Sequence, residues 1–218
     1  MTWRSVCYSP GSVFPRFHCS SHALRPGLWS WLAAVWLAVA AAGLAVLWAY
    51  DNAPGESATA PTRWPAATAL ARSHNGATLV LLAHPQCSCT RASLAELAET
   101  LARATVQPKT YVLFLKPDGF SDDWAKSDLW RTAAAIPGVT VVRDDDGVEA
   151  RRFGVSTSGQ TLLYDEAGTL RFSGGITGAR AHQGDNDGRR AIVDLLNRGT
   201  AQRATTNVFG CALFNSRM

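Results

Sequence analysis

The sequence predicts a three-layer α/β domain, βαβαβ followed by ββα, behind one N-terminal transmembrane helix. Two observations carry this reading. An uncharged run of mostly Leu, Ala, Val and Trp fills residues 28–50, and beyond it short apolar runs alternate with stretches of helical period. Hydrophobic residues make up 47% of the 218 and charged residues 17%, which excludes a disordered chain. Arg4, Arg16 and Arg25 precede the apolar run and no acid does; after Tyr50 there are 18 basic against 17 acidic side chains, a net +1. The formal charge of +4 therefore owes much to a short basic tail, and no nucleic-acid partner is expected.

The first element is the membrane helix. At 1.5 Å rise per residue, about 22 residues cover a hydrocarbon core of roughly 30 Å. Trp29 and Trp31 at one end, and Trp48 and Tyr50 at the other, fit interfacial anchors. The positive-inside rule makes residues 1–27 a cytoplasmic basic tail and puts everything after the span on the extracytoplasmic, periplasmic side of the inner membrane. A cleaved signal peptide is the alternative, but its apolar region usually runs about 7–15 residues. Only Ser57-Ala58-Thr59-Ala60 offers a weak cleavage site, so an uncleaved single-pass anchor is favoured. Residues 51–67, rich in Ala, Pro, Thr and Ser without apolar period, read as an exposed tether. The globular domain spans 68–198, and 199–218 is a tail carrying Cys211.

Within the domain, Thr78-Leu79-Val80-Leu81-Leu82-Ala83 reads as a buried strand, and the segment after Cys89 as a helix with Leu94, Leu97, Ala98 and Leu101 on one face. Tyr111-Val112-Leu113-Phe114-Leu115 is a second strand. A helix is expected from Trp124 to Ile136, stopped by Pro137-Gly138. Val139-Thr140-Val141-Val142 is a third strand, Asp144-Asp145-Asp146-Gly147 a turn, and residues 147–153 one or two helical turns. Two further strands, 161–164 and 170–172, flank the hairpin signal Asp165-Glu166-Ala167-Gly168. The last helix fits 188–198, with Asp187 as its N-cap.

Cys87 and Cys89 stand where the first strand runs into a helix. A thiolate at a helix N-terminus is stabilised by free N–H groups and the helix dipole, which lowers a Cys pKa from about 8.5 to between about 3.5 and 7.5. His84 and Arg91 are expected to add positive charge, making Cys87 the nucleophile. A Cys87–Cys89 disulfide would close a small strained ring, easily reduced, and would suit an oxidising or isomerising couple. Cys89 or Cys211 would then resolve a mixed disulfide. The competing reading is a permanent staple from Cys87 or Cys89 to Cys211. Cys7 and Cys19, on the cytoplasmic side, are expected to be ordinary free thiols.

The chain resembles the thioredoxin-like fold over roughly residues 77–198. More narrowly, His84-Pro85-Gln86-Cys87-Ser88-Cys89, Phe153-Gly154-Val155, Ser173-Gly174-Gly175-Ile176-Thr177 and Phe209-Gly210-Cys211 look like bacterial membrane-anchored RedB-like proteins. The resemblance implies a thiol–disulfide oxidoreductase without cofactor, acting on extracytoplasmic thiol-containing clients, with His84, Pro85, Arg91 and Gln160 supporting Cys87, Cys89 and Cys211. Two features depart from ordinary thioredoxins. The pair is C-x-C, and Thr157-Ser158-Gly159-Gln160-Thr161 stands where such proteins carry a cis-proline. The thioredoxin-like copper chaperones suggest a second function, delivery of copper to a metal-requiring client through Cys87, Cys89 and His182 or Cys211. A non-catalytic module with stapled cysteines is the third. Asp185-Asn186-Asp187-Gly188 is read as a capped helix start, since with Gly188 at position six a calcium loop would have Gln183 at position one and Asp194, not Glu, at position twelve.

Overall fold

The computed structural model describes residues 27–56 and 59–214. They form two units, one ending at Leu44 and one beginning at Ala45. The first helix, α1 (Leu28–Asp51), has 24 residues and buries none of its side chains; among the described residues it is the one helix long and apolar enough to cross a membrane. Arg4, Arg16, Arg25, Cys7 and Cys19 lie outside the described residues.

The second unit is built on β1 (Thr78–Ala83), α2 (Ser88–Arg103), β2 (Lys109–Lys116), α3 (Asp122–Ala125), α4 (Asp128–Ala134), β3 (Val139–Asp145), α5 (Val148–Arg152), β4 (Gln160–Tyr164), β5 (Leu170–Gly175) and α6 (Asp187–Arg198). The sheet order is β3-β2-β1-β4-β5, with β1, β2 and β3 parallel and β4 and β5 antiparallel to their neighbours. Strand side chains alternate between faces. One face sends Leu79, Leu81, Val112, Phe114, Leu163 and Phe172 into a core closed by Leu94 and Leu97 of α2, Leu129 of α4 and Ile192 of α6. Successive β1-α2-β2 and β2-α4-β3 crossovers of one hand move along the sheet in one direction, so their helices share a face. The other face, with Val80, Leu82, Leu113, Leu162 and Tyr164, is covered by no long helix.

That uncovered face corrects the tether. Residues 59–71 form a strap across it: Ala60 and Leu70 are buried, and Trp64 meets Phe153 and Tyr164 edge-on with centroids 5.1 and 5.2 Å apart. The strap also adds to the β4–β5 hairpin. Trp64 N–H donates to Gly168 O (2.7 Å), Leu170 N–H donates to Thr62 O (2.9 Å), and the Tyr164 hydroxyl donates to Pro61 O (3.0 Å). The five-residue α5 cannot hide the apolar side chains of this face alone, so the preceding segment does.

Three smaller expectations are corrected. The single helix over 124–136 is two, because Lys126 and Ser127 leave helical geometry and Ser127 restarts the chain as the N-cap of α4. β3 continues through Asp144 and Asp145, leaving Asp146 and Gly147 to turn at φ 51° and 67°. Asp144 is buried because its carboxylate accepts the Glu149 and Ala150 N–H groups at 2.8 and 2.9 Å, capping α5. The N-cap of α6 is Asn186, whose side chain accepts Arg189 N–H at 2.8 Å, and not Asp187.

The tail after 198 packs against the sheet. Ser173 N–H donates to Ala204 O (3.0 Å) and Gly175 N–H to Asn207 O (3.2 Å), so residues 204–207 run parallel to the outer edge of β5. Val208, Phe209 and Leu213 are buried.

Candidate functional site

The site lies where β1 ends. The chain leaves Ala83, passes His84, Pro85 and Gln86, and enters α2 with Cys87 as its N-cap in extended geometry (φ −101°, ψ 126°). No side chain caps α2, so the first-turn N–H groups stay available to a sulfur at this position. Cys87 is 3% exposed and forms a disulfide with Cys211, the Cα atoms 6.5 Å apart. Cys89 is a free, buried thiol. The expected C-x-C bond is therefore replaced by a bond across 124 residues of sequence. The reason is helical geometry: residues two apart at a helix start point to different sides, and closing Cys87 on Cys89 would unwind the first turn of α2.

Cys211 reaches Cys87 because the tail pairs with the segment before β4. Ser158 N–H donates to Cys211 O (2.9 Å), Leu213 N–H donates to Ser156 O (2.8 Å), and Thr157 bridges Ala212 antiparallel. Three more bonds hold this stretch: Gly55 N–H to Val208 O (2.8 Å), Arg180 Nη1 to Gly210 O (2.7 Å) and Thr206 Oγ1 to Gly175 O (2.7 Å). At Gly210 a Cβ would overlap the Ser158 carbonyl oxygen, so the strands approach this closely only because Gly210 lacks a side chain.

Ser158 ties this edge to the cysteine loop. Its hydroxyl accepts His84 N–H (2.9 Å) and shares a hydrogen with Thr90 Oγ1 (2.9 Å), and Thr90 Oγ1 lies equally close to His84 O. Ser158 and Thr90 are fully buried, so the web is shielded from water. Gly159 follows at φ 87°, its N–H donating to Leu82 O at 2.7 Å. No cis peptide bond occurs among the described residues. Ser158 and Gly210 stand in the sequence only as members of the stretches 157–161 and 209–211, with no role of their own, and Thr90 carries no local signal. The missing proline at 157–161 marked the place, but nothing local showed that a hydroxyl fills it.

The supporting residues are distributed unequally. Pro85 is buried and Gln86 exposed. Burial lowers the His84 pKa below its ordinary 6.5, and its Nδ1 accepts Gln86 N–H at 3.2 Å, leaving the proton of the neutral ring on Nε2. Arg91 pairs with Asp128 on the surface of α4. The positive charge expected from these two residues near Cys87 is thus absent at His84 and neutralised at Arg91. Gln160 is buried with Nε2 donating to Ser173 Oγ at 3.2 Å, beside an open groove of about 920 Å³ between β5, the start of α6 and the tail. The copper set is not assembled: Cys87 and Cys211 are bonded to each other, His182 is exposed, and among the described residues no three His, Cys, Asp or Glu side chains group to hold a metal.

His84 makes stability pH-dependent. Above pH 6.5 the imidazole is neutral in both folded and unfolded chains; on acidification the unfolded chain takes up the proton first, so stability falls until pH passes the lower folded pKa. Denaturant midpoints of the wild-type chain should fall as pH drops below 6.5, and in His84→Gln that slope should flatten. Superimposable profiles for the two proteins would remove His84 as the cause.

No protein-family model matches the chain, and no curated protein matches it. Among solved structures, a hypothetical protein of Sinorhizobium meliloti is similar at 19% identity and TM-score 0.51, over 75% of this chain and 98% of that one. An uncharacterized conserved protein of Geobacillus kaustophilus aligns at 12% identity and TM-score 0.49, over 77% and 94%. The exposed lipoprotein thioredoxin of Streptococcus pneumoniae aligns at 19% identity and TM-score 0.39, over 55% and 82%. At these identities the likeness concerns fold alone. With its five-stranded mixed sheet and flanking helices, the second unit has a thioredoxin-like α/β fold.

Proposed function

We propose that the chain is a membrane-anchored, extracytoplasmic thiol–disulfide exchange protein of RedB-like type, with Cys87 as nucleophile and Cys211 as its redox partner. The observation that carries this reading is a cysteine at the uncapped N-terminus of α2, bonded to a cysteine on a docked tail, with a third thiol two residues along. The helix start stabilises Cys87 as a thiolate, which makes it the better leaving group when the bond is attacked. Cys211 is the more accessible of the two residues, so the bond is open to attack from outside. Cys89 lies within the first turn of the same helix and serves as a reserve thiol. The α1 helix is long and apolar enough to serve as the anchor; Arg4, Arg16 and Arg25 before it argue for an N-in orientation with the domain in the periplasm, where the clients are thiol-containing proteins.

The deciding experiment is a redox titration of the full chain in detergent against glutathione and dithiothreitol, with alkylation and mass mapping of each cysteine. An exchange couple between Cys87 and Cys211 should titrate between about −120 and −270 mV. A bond that stays oxidised below about −300 mV is a permanent staple and overturns the proposal.

A further inference from the structure

We infer that the groove between β5, the start of α6 and the tail is a binding site for an uncharged saccharide. Its volume of about 920 Å³ falls within the roughly 300–1,000 Å³ of small-molecule sites. Three features of its wall select the ligand. First, Gln160 lines the groove although it is only 2% exposed; its Nε2 donates to Ser173 Oγ at 3.2 Å, and its Oε1 has no partner within the protein. A buried amide oxygen left unpaired is costly, so a ligand that brings a donor is favoured over one that does not. Second, Ser173, Thr177, Thr205 and Thr206 all belong to the same wall, and a hydroxyl both donates and accepts. Third, the charges are already matched. The charged lining residues are Asp185, Asp187 and Arg203. Asp185 pairs with Arg189, and Asp187 pairs with Arg190 at 3.2 Å and with Arg203 at 3.7 Å, so no unpaired charge waits for an ionic ligand.

A saccharide meets all three conditions. It is uncharged, its hydroxyls supply the donor for Gln160 Oε1 and trade hydrogen bonds with the serine and threonines, and Val208 and Phe209 in the wall offer apolar surface to the C–H face of a sugar ring. The Ser173-Gly174-Gly175 run is what lets the tail form the far wall, because a Cβ on Gly174 would overlap Thr206. That wall leads directly into Cys211. A sugar bridging β5 and the tail therefore favours the docked tail, and reduction of the Cys87–Cys211 bond slows when the groove is filled. This link holds whether the bond is exchanged with clients or permanent, so the saccharide site and the exchange reading fail separately.

The test is isothermal titration calorimetry on the oxidised full chain, held in a polyoxyethylene detergent so that no sugar headgroup competes. The probes are maltose, cellobiose and N,N′-diacetylchitobiose, with glucuronate as the charged comparison and N-acetyl-triglycine amide as the peptide one. A neutral disaccharide should bind saturably. Gln160→Leu, which removes the acceptor, should weaken binding about ten-fold, and Gln160→Glu, which keeps one, should restore most of it. Thr205 is exposed, so Thr205→Arg leaves the core untouched and should abolish binding by filling the groove. The sugar that binds should also slow reduction of Cys87–Cys211 by dithiothreitol several-fold at saturation, with no effect in Thr205→Arg. The inference is overturned if none of the sugars binds, if Thr205→Arg binds as well as the wild type, or if the charged or peptide probe binds more tightly. Sugar binding that leaves the reduction rate unchanged places the sugar away from the tail and overturns it too.

Discussion

Cys87→Ser should abolish trapping of client mixed disulfides, Cys211→Ser should accumulate them several-fold, and Cys89→Ser should leave them near the wild-type level. The order follows from geometry. Cys87 sits at the helix start that stabilises a thiolate, and Cys211 is the sulfur already within bonding reach of it. Cys89 is buried one residue into the helix and would have to unwind the first turn to reach Cys87. Stability and chemistry separate in this series. Both Cys87→Ser and Cys211→Ser open a loop of 124 residues, which on the chain-entropy account costs each about 4–5 kcal/mol. Equal destabilisation with opposite trapping therefore identifies chemical roles. The measurement is non-reducing electrophoresis with mass mapping after acid quench, alongside denaturant melts. Accumulation in Cys89→Ser instead of Cys211→Ser would return the resolving role to Cys89 and reduce the tail bond to a staple.

The parts of this molecule that sequence reveals are those set by local pattern. β1, β2 and β4 are buried on both faces and read as continuous apolar runs, and α2 declares itself by the spacing of Leu94, Leu97 and Leu101. The placement of Cys87 at a helix start follows from those two elements. The pairing of Cys87 with Cys211 does not, because spacing never fixes connectivity and the tail's path depends on an edge at 156–158 that forms only in the folded chain. The strap is hidden for a similar reason. Residues 59–71 have no period, and their burial is decided by a sheet face that the short α5 leaves bare. Ser158 and Gly210 show the limit most plainly. One is a common polar residue and the other a common loop glycine, and each acquires its role only when strands some 50 residues apart meet.

Glu96→Leu should lower stability by about 3–5 kcal/mol, and the loss would be felt at the cysteines. Glu96 lies two turns into α2, 3% exposed, and its carboxylate is fully used: Oε1 accepts Gly184 N–H at 2.7 Å, and Oε2 accepts Asn186 Nδ2 at 3.1 Å and Arg189 Nη1 at 2.5 Å. These bonds clamp α2 to α6 and to the loop before it. Removing the carboxylate strands the buried Arg189 guanidinium with only Asp185, whose side chain is 86% exposed and therefore screened by water. The cost comes mainly from the stranded charge and not from a lost attraction. A double variant, Glu96→Leu with Arg189→Met, should therefore recover more than half of the deficit. In the single variant α2 loses its clamp while Cys87 keeps its bond to Cys211, so alkylation of Cys89 in the native chain should accelerate with the loss of stability and slow again in the double variant. A loss below about 1 kcal/mol, or a double variant no better than the single one, would show that apolar packing of α2 through Leu94, Leu97 and Leu101 suffices to hold the cysteines in place.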